Sequence, residues 1–186
     1  MKRAPAFTVL EVLVVVMVIG ILVLLSLPVI GKLRARAQRV QCTANLKSLH
    51  VATQLYMQEH HQWPQIRLSA QSDEGWESFA KGWLAAIAPY GPSAKTWICP
   101  TRQNHIGNPD FTQSGHERID YIPTPFDDKP TTPHDIGTPN TSGKTVPVPW
   151  FSEAEDVHGN GNLVIFADGS VTDLKTIAGK TSSTAK

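Results

Sequence analysis

Few residues in this 186-residue chain are of types and spacings that could do chemistry. Glu11 is the one carboxylate within an apolar run of 24 residues, Phe7 to Ile30. An ionisable group inside an apolar span is costly and is read as functional, with a cation as its partner. The natural cation lies near the start of the same segment. Cys42 and Cys99 are the two cysteines. In an exported domain they suit one disulfide; the other reading is two buried free thiols, because sequence does not give the distance between them. His158 stands nine residues before Asp168-Gly169. The remaining histidines are His50, His60, His61, His105, His116 and His134, and none has a paired metal-ligand spacing with a third ligand. His60-His61 reads as a solvated helix end. Asp127-Asp128 and Glu153-x-Glu155-Asp156 read as solvated acidic runs, with a calcium site as the weaker alternative. Nucleophile motifs and phosphate-binding glycine loops are absent. The expectation is therefore no catalytic residue, no cofactor, no metal ligand and no enzyme.

The elements that must position these residues begin with the apolar run. At about 1.5 Å per residue it reaches roughly 36 Å, enough for a hydrocarbon core of about 30 Å. A secretory signal has a shorter apolar region, although Ala35-Arg36-Ala37 has the small-x-small form of a cleavage site. Apolar residues recur at helical spacing from Leu33 through Ala37, Val40, Ala44, Leu46, Leu49, Ala52, Leu55 and Tyr56. No Gly or Pro falls between Gly31 and Pro64. The spacing predicts one long helix from Phe7 to about His61, bent near Pro28 and Gly31 and ended by Trp63-Pro64. Its outer half is amphipathic and must lay its stripe on a globular domain.

Ser72 to Ala88 reads as a second helix, with Trp76, Phe79, Trp83, Leu84 and Ile87 on its apolar face. Thr96 to Cys99 is a short strand candidate. Residues 100–150 hold nine of the fourteen prolines and read as irregular, pinned by Tyr121-Ile122 and Trp150-Phe151. Leu163–Ala167 and Ser170–Leu174 form a hairpin pattern, with Asp168-Gly169 supplying the positive φ angles of a two-residue turn. Formal charge is +1 overall but uneven, with seven Lys/Arg against two acidic residues over 1–63 and ten against fourteen over 64–186. The basic half hugs the span, so Lys32 to Arg39 reads as a juxtamembrane cluster rather than a nucleic-acid patch.

Ala6-Phe7-Thr-Val-Leu-Glu11, followed by the Val/Ile/Leu-rich span, resembles the N-terminal signal of type IV pilins and type II secretion pseudopilins. The resemblance covers about the first 60 residues. It implies cleavage between Ala6 and Phe7 by a prepilin peptidase, N-methylation of Phe7, and an assembly role for Glu11 against the Phe7 amine of a neighbouring subunit. Pro28 matches the helix-bending proline of many pilins. Ala6 departs from the glycine usual before the cut. Counting Lys2 and Arg3 against Lys32, Arg34, Arg36 and Arg39 favours a cytoplasmic C-terminal part; the resemblance implies that this part is exported.

His158 with Asp168-Gly169 also resembles the H-x9-DG element of a group of pilin-like proteins from Planctomycetes and Verrucomicrobia-type bacteria. Cys42-Thr-Ala-Asn45-Leu46-Lys47, Trp63-Pro64 and Cys99-Pro100 look like the same group. The residues themselves give this motif a structural role, with a ligand or metal role as the alternative. The reading is an α+β, pilin-like chain: a leader over 1–6, a transmembrane helix over 7–30, its amphipathic extension over 31–62, an exported domain over 63–177 with the irregular region inside it, and a polar tail over 178–186. The expected function is a structural subunit of a pilus or pseudopilus, single-pass in the inner membrane with a periplasmic C-terminal domain, or carried into an extracellular filament. Expected partners are prepilin peptidase and other pilin or pseudopilin subunits, with no nucleic acid. The alternative is a tethered exported binding module that does not polymerise; a tethered hydrolase has little support.

Overall fold

The computed structural model describes residues 8–66, 73–106, 118–124, 148–159 and 161–177, without the side chains of 26–29, 73 and 74. Helix α1 runs Val9–His60, α2 runs Asp73–Ile87 and α3 runs Pro100–Ile106. Strands β1 (Tyr121–Pro123), β2 (Pro149–Glu153), β3 (Leu163–Phe166) and β4 (Val171–Asp173) form one antiparallel sheet in chain order. The chain is thus α+β. It divides into two compact units, Met1–Ala37 and Gln38–Lys186.

In the first unit, the Thr8 side-chain oxygen accepts the Glu11 N–H at 3.3 Å, which satisfies one of the unpaired donors at the start of α1. The apolar side chains from Val9 to Leu25 are exposed. Among the described residues no single helix is long and apolar enough to cross a membrane, but Val9–Leu25 and Ile30–His60 together could as a bent pair, by length and composition. Pro28 lies among the residues whose side chains fall outside the description, and Ala6 and Phe7 lie outside the described residues.

In the second unit, α1 buries Cys42, Asn45, Leu46, Leu49, His50, Ala52, Thr53 and Met57. The predicted apolar stripe is rotated in part: Leu46, Leu49 and Ala52 are buried as expected, whereas Val40, Ala44 and Leu55 are exposed, as are Leu33 and Ala37 of the first unit. Three polar residues enter the buried face because each has a partner there. Asn45 donates to the Ile98 carbonyl, His50 meets the Ala167 carbonyl, and Thr53 donates back to the Leu49 carbonyl. His61 ends the helix in the left-handed region at φ 54°, donating its N–H to the Met57 carbonyl.

Trp63 then starts an aromatic core. It packs edge-on against Trp83 at 5.5 Å and Trp150 at 5.1 Å, while Phe151 meets Trp83 and Trp97, each at 5.9 Å. Close approach of α2 needs Gly82, where an added Cβ would lie 2.8 Å from Ile66 Cγ2. The expected apolar face of α2 is the observed one; Ser72, the expected cap, lies outside the described residues.

Three local expectations are corrected. Thr96 to Cys99 is not a strand: Ala94–Trp97 is a 3-10 turn, and Pro100 starts α3, where its missing N–H costs nothing. The 100–150 region is not irregular throughout, since α3, β1 and the start of β2 lie in it; 107–117 and 125–147 fall outside the described residues. The turn between β3 and β4 holds three residues, not two, between hydrogen-bonded Phe166 and Ser170. Gly169 N–H bonds the Phe166 carbonyl and Phe166 N–H bonds the Ser170 carbonyl, with Gly169 alone at positive φ, 78°. This is a turn closed by a glycine bulge, a geometry that leaves Asp168 in ordinary backbone. The tail over 178–186 lies outside the described residues.

Candidate functional site

Four chain segments converge on one buried cluster. Cys42 comes from α1. Cys99 comes from the link between the 3-10 turn and α3. Glu153 ends β2, and His158 sits in the loop before β3. Their ligand-type atoms all lie within 4.8 Å of one another.

Each residue is positioned by its own neighbours. Cys99 donates its N–H to the Asp120 carboxylate at 2.9 Å, and Asp120 N–H bonds the Trp97 carbonyl at 2.8 Å. Asn45, one turn past Cys42, holds the Ile98 carbonyl at 3.1 Å. Glu153 accepts the Leu163 N–H on Oε2 at 3.0 Å, and its own carbonyl accepts Asn162 Nδ2 at 2.7 Å. The loop carrying His158 is shaped by Asp156, which accepts the Gly159 N–H, and by Gly159 and Gly161 at positive φ. At Gly161 an added Cβ would stand 3.0 Å from the Lys175 amide nitrogen.

The cysteine sulfurs lie 2.7 Å apart, and both thiols are free and buried. His158 Nε2 lies 3.8 Å from Cys99 Sγ and 3.1 Å from Glu153 Oε1, with side chains 4% and 2% exposed for His158 and Glu153. Contact with Cys99, then with Glu153, raises the His158 imidazole to about 9. Contact with Cys42 is the main cause holding the Cys99 thiol low, aided by His158 and opposed by burial. The Cys42 thiol is pushed up, first by Cys99 and then by burial. Burial pushes the Glu153 carboxyl up, opposed by His158 and the Leu163 amide.

The H-x9-DG motif is therefore split between two neighbours. His158 belongs to the cysteine cluster. Asp168 Oδ1 accepts the Ser170 N–H at 2.9 Å, and Gly169 lies against His50, whose Cε1 would be 3.4 Å from an added Cβ. His50 Nε2 meets the Ala167 carbonyl at 3.0 Å and its ring packs on Trp150 at 4.6 Å. The Asp168-Gly169 half thus meets α1 through His50, while His158 meets Cys99 and Glu153.

The acidic residues need one correction. Glu153 is not solvated; it is buried against His158. Glu155 pairs with Arg102, while Asp156 caps its own loop and lies 3.5 Å from Lys175. Asp127 and Asp128 lie outside the described residues. A second polar centre had no sequence signal: buried Asp120 takes Arg102 at 2.5 Å and Arg118 at 2.8 Å while accepting Cys99 N–H. Its partners lie on α3 and around β1, within a stretch read as irregular. Arg39, read as part of the juxtamembrane cluster, pairs with Asp173 of β4.

Residues 31–97 match a family model described as a protein of unknown function, DUF1559. The match covers roughly a third of the chain. It takes in Cys42 to Lys47 and Trp63-Pro64, but stops short of Cys99 and does not reach Glu11, Glu153 or His158. No curated protein and no solved structure matches the chain.

Proposed function

We propose that this chain is a structural subunit of a type IV pilus or type II secretion pseudopilus, anchored and assembled through α1. The observation that carries the reading is the division of labour along that helix. Its first part presents exposed apolar side chains from Val9 to Leu25, with Glu11 the one charge among them. Its second part is built into the core from Cys42 to Met57. A helix with so long an exposed apolar surface suits cover by a bilayer or by other subunits. Glu11 separates these occupants, since a carboxylate in lipid is costly and an anchor has no use for it. Against the Phe7 amine of a neighbouring subunit it becomes one half of an ion pair, far cheaper in hydrocarbon than a lone charge.

On this reading prepilin peptidase cuts between Ala6 and Phe7, Phe7 is methylated, and the C-terminal domain lies outside the inner membrane. Head-to-tail contacts that do not close then give a filament. The test is N-terminal mass spectrometry of protein from the native membrane. A methylated Phe7 terminus supports the reading. Intact Met1, or a start at Gln38, overturns it. The competing reading, a tethered binding module, keeps the anchor and forms no filament, so it is separated by recovery of the chain in sheared filaments.

A further inference from the structure

Cys42 and Cys99 are 57 positions apart, yet their sulfurs are in direct contact at 2.7 Å. A disulfide of about 2.05 Å is a small side-chain movement away. The thiolate is the attacking species in thiol–disulfide exchange, so a buried pair needs a group that takes the first proton. All four ligand-type atoms lie within 4.8 Å of one another, and His158 Nε2 is within hydrogen-bond distance of Cys99 Sγ, at 3.8 Å. The same nitrogen meets Glu153 Oε1 at 3.1 Å, and the other Glu153 oxygen is occupied by the Leu163 N–H. A carboxylate fixed in this way stabilises the imidazolium that forms.

We propose that Cys42 and Cys99 form a built-in oxidation site, with Cys99 as the attacking thiol, His158 as its proton acceptor and Glu153 as the residue that holds the imidazolium. The oxidant is a small or protein-borne disulfide. Cys99 gives its proton to His158, and its thiolate attacks one oxidant sulfur. The S–S bond of the oxidant breaks and one thiolate leaves, taking up the proton. Cys42 then attacks the Cys99 sulfur of the mixed disulfide and releases the second thiol with its own proton. Two protein thiols are oxidised and one disulfide is reduced to two thiols. The bond joins α1 directly to the segment before α3.

The same four side chains are also of types that could hold a metal ion. The sulfur contact favours the disulfide. Two thiolates on one zinc, each about 2.3 Å from it at a tetrahedral angle, stand roughly 3.7 Å apart. The observed contact is an ångström shorter. The inference stands on this geometry and does not depend on the filament reading.

The test takes the full chain in detergent, reduced and metal-free, and adds oxidised glutathione. Both thiols should disappear, with an intact mass lower by two hydrogens. His158→Gln should slow closure about tenfold at neutral pH and move its pH–rate profile toward that of an ordinary thiol. In Cys42→Ser the lone Cys99 should form a glutathione adduct faster than the lone Cys42 of Cys99→Ser, a comparison that needs no change at His158. Two thiols that persist under oxidant overturn the proposal. So does stoichiometric zinc binding that protects both thiols in the parent chain but not in Cys42→Ser. An unchanged rate and profile in His158→Gln overturns the role of the histidine.

Discussion

The imidazole of His158 lies between a thiol and a carboxylate with its side chain 4% exposed, so its charge is tied to the folded state. Its value rises from 6.5 to about 9 with Cys99 as the larger cause and Glu153 the next. A raised folded value contributes stability that is complete below the unfolded value and is lost as pH rises through the folded one. In the bridged protein Cys99 no longer titrates, and the Glu153 contact alone lifts His158. Thermal stability should then fall as pH rises above about 6.5, over a window that closes before the value of the dithiol form. In the dithiol form Cys99 is held below its ordinary value, so it gives up a proton on folding across the same window and opposes the decline. Reduction should therefore flatten the curve, and His158→Gln should flatten it in the bridged protein. Melting temperatures of both redox forms across this range provide the check. A bridged protein whose stability ignores His158→Gln would show that the imidazole is not charged there.

The β3–β4 connection shows what an element asks of its residues. Gly169 is the position at φ 78°, and its missing Cβ leaves room for the His50 ring. Gly169→Val should destabilise the fold by more than about 1 kcal/mol, from backbone strain and from the pressure on His50. Asp168→Asn should be mild, because an Asn side-chain oxygen can still accept the Ser170 N–H. Chemical denaturation of the two variants checks the order; a larger loss for Asp168→Asn would point to a ligand-binding carboxylate. This hairpin and α1 were legible because their signals are local: two strand-like runs flanking Asp168-Gly169, and helical spacing without Gly or Pro from Lys32 to Trp63. The turn length was not, because it depends on how many residues separate Phe166 from its partner Ser170. The rotation of the α1 stripe was hidden for a related reason. Asn45, His50 and Thr53 look like surface residues until Ile98, Ala167 and Leu49 supply their hydrogen bonds. The Cys42–Cys99 contact and the burial of Glu153 depend on the same long-range packing, which no spacing within either segment encodes.

At the scale of the molecule, one helix serves two environments. From Cys42 to Met57 it is held by the aromatic core, by Arg39 with Asp173, and by the contact between Cys42 and Cys99. From Val9 to Leu25 its apolar side chains are exposed among the described residues. Glu11 sits in that second part, and the bond that starts the helix uses its backbone N–H with Thr8 Oγ1, not its carboxylate. Glu11→Val therefore keeps the cap and loses only a charge near the helix start, worth about 0.3–1 kcal/mol at an exposed site. The helix should still form, and membrane insertion should be unchanged or improved, since the costliest side chain in the span is gone. Incorporation into filaments should be lost if the carboxylate is the partner of the Phe7 amine on a neighbouring subunit. Membrane fractionation measures the first outcome and recovery in sheared filaments the second. A Glu11→Val chain that inserts and also assembles at parental levels would remove Glu11 from the assembly contact. A parental chain that inserts, is cut at Phe7 and never appears in filaments would favour the tethered binding module.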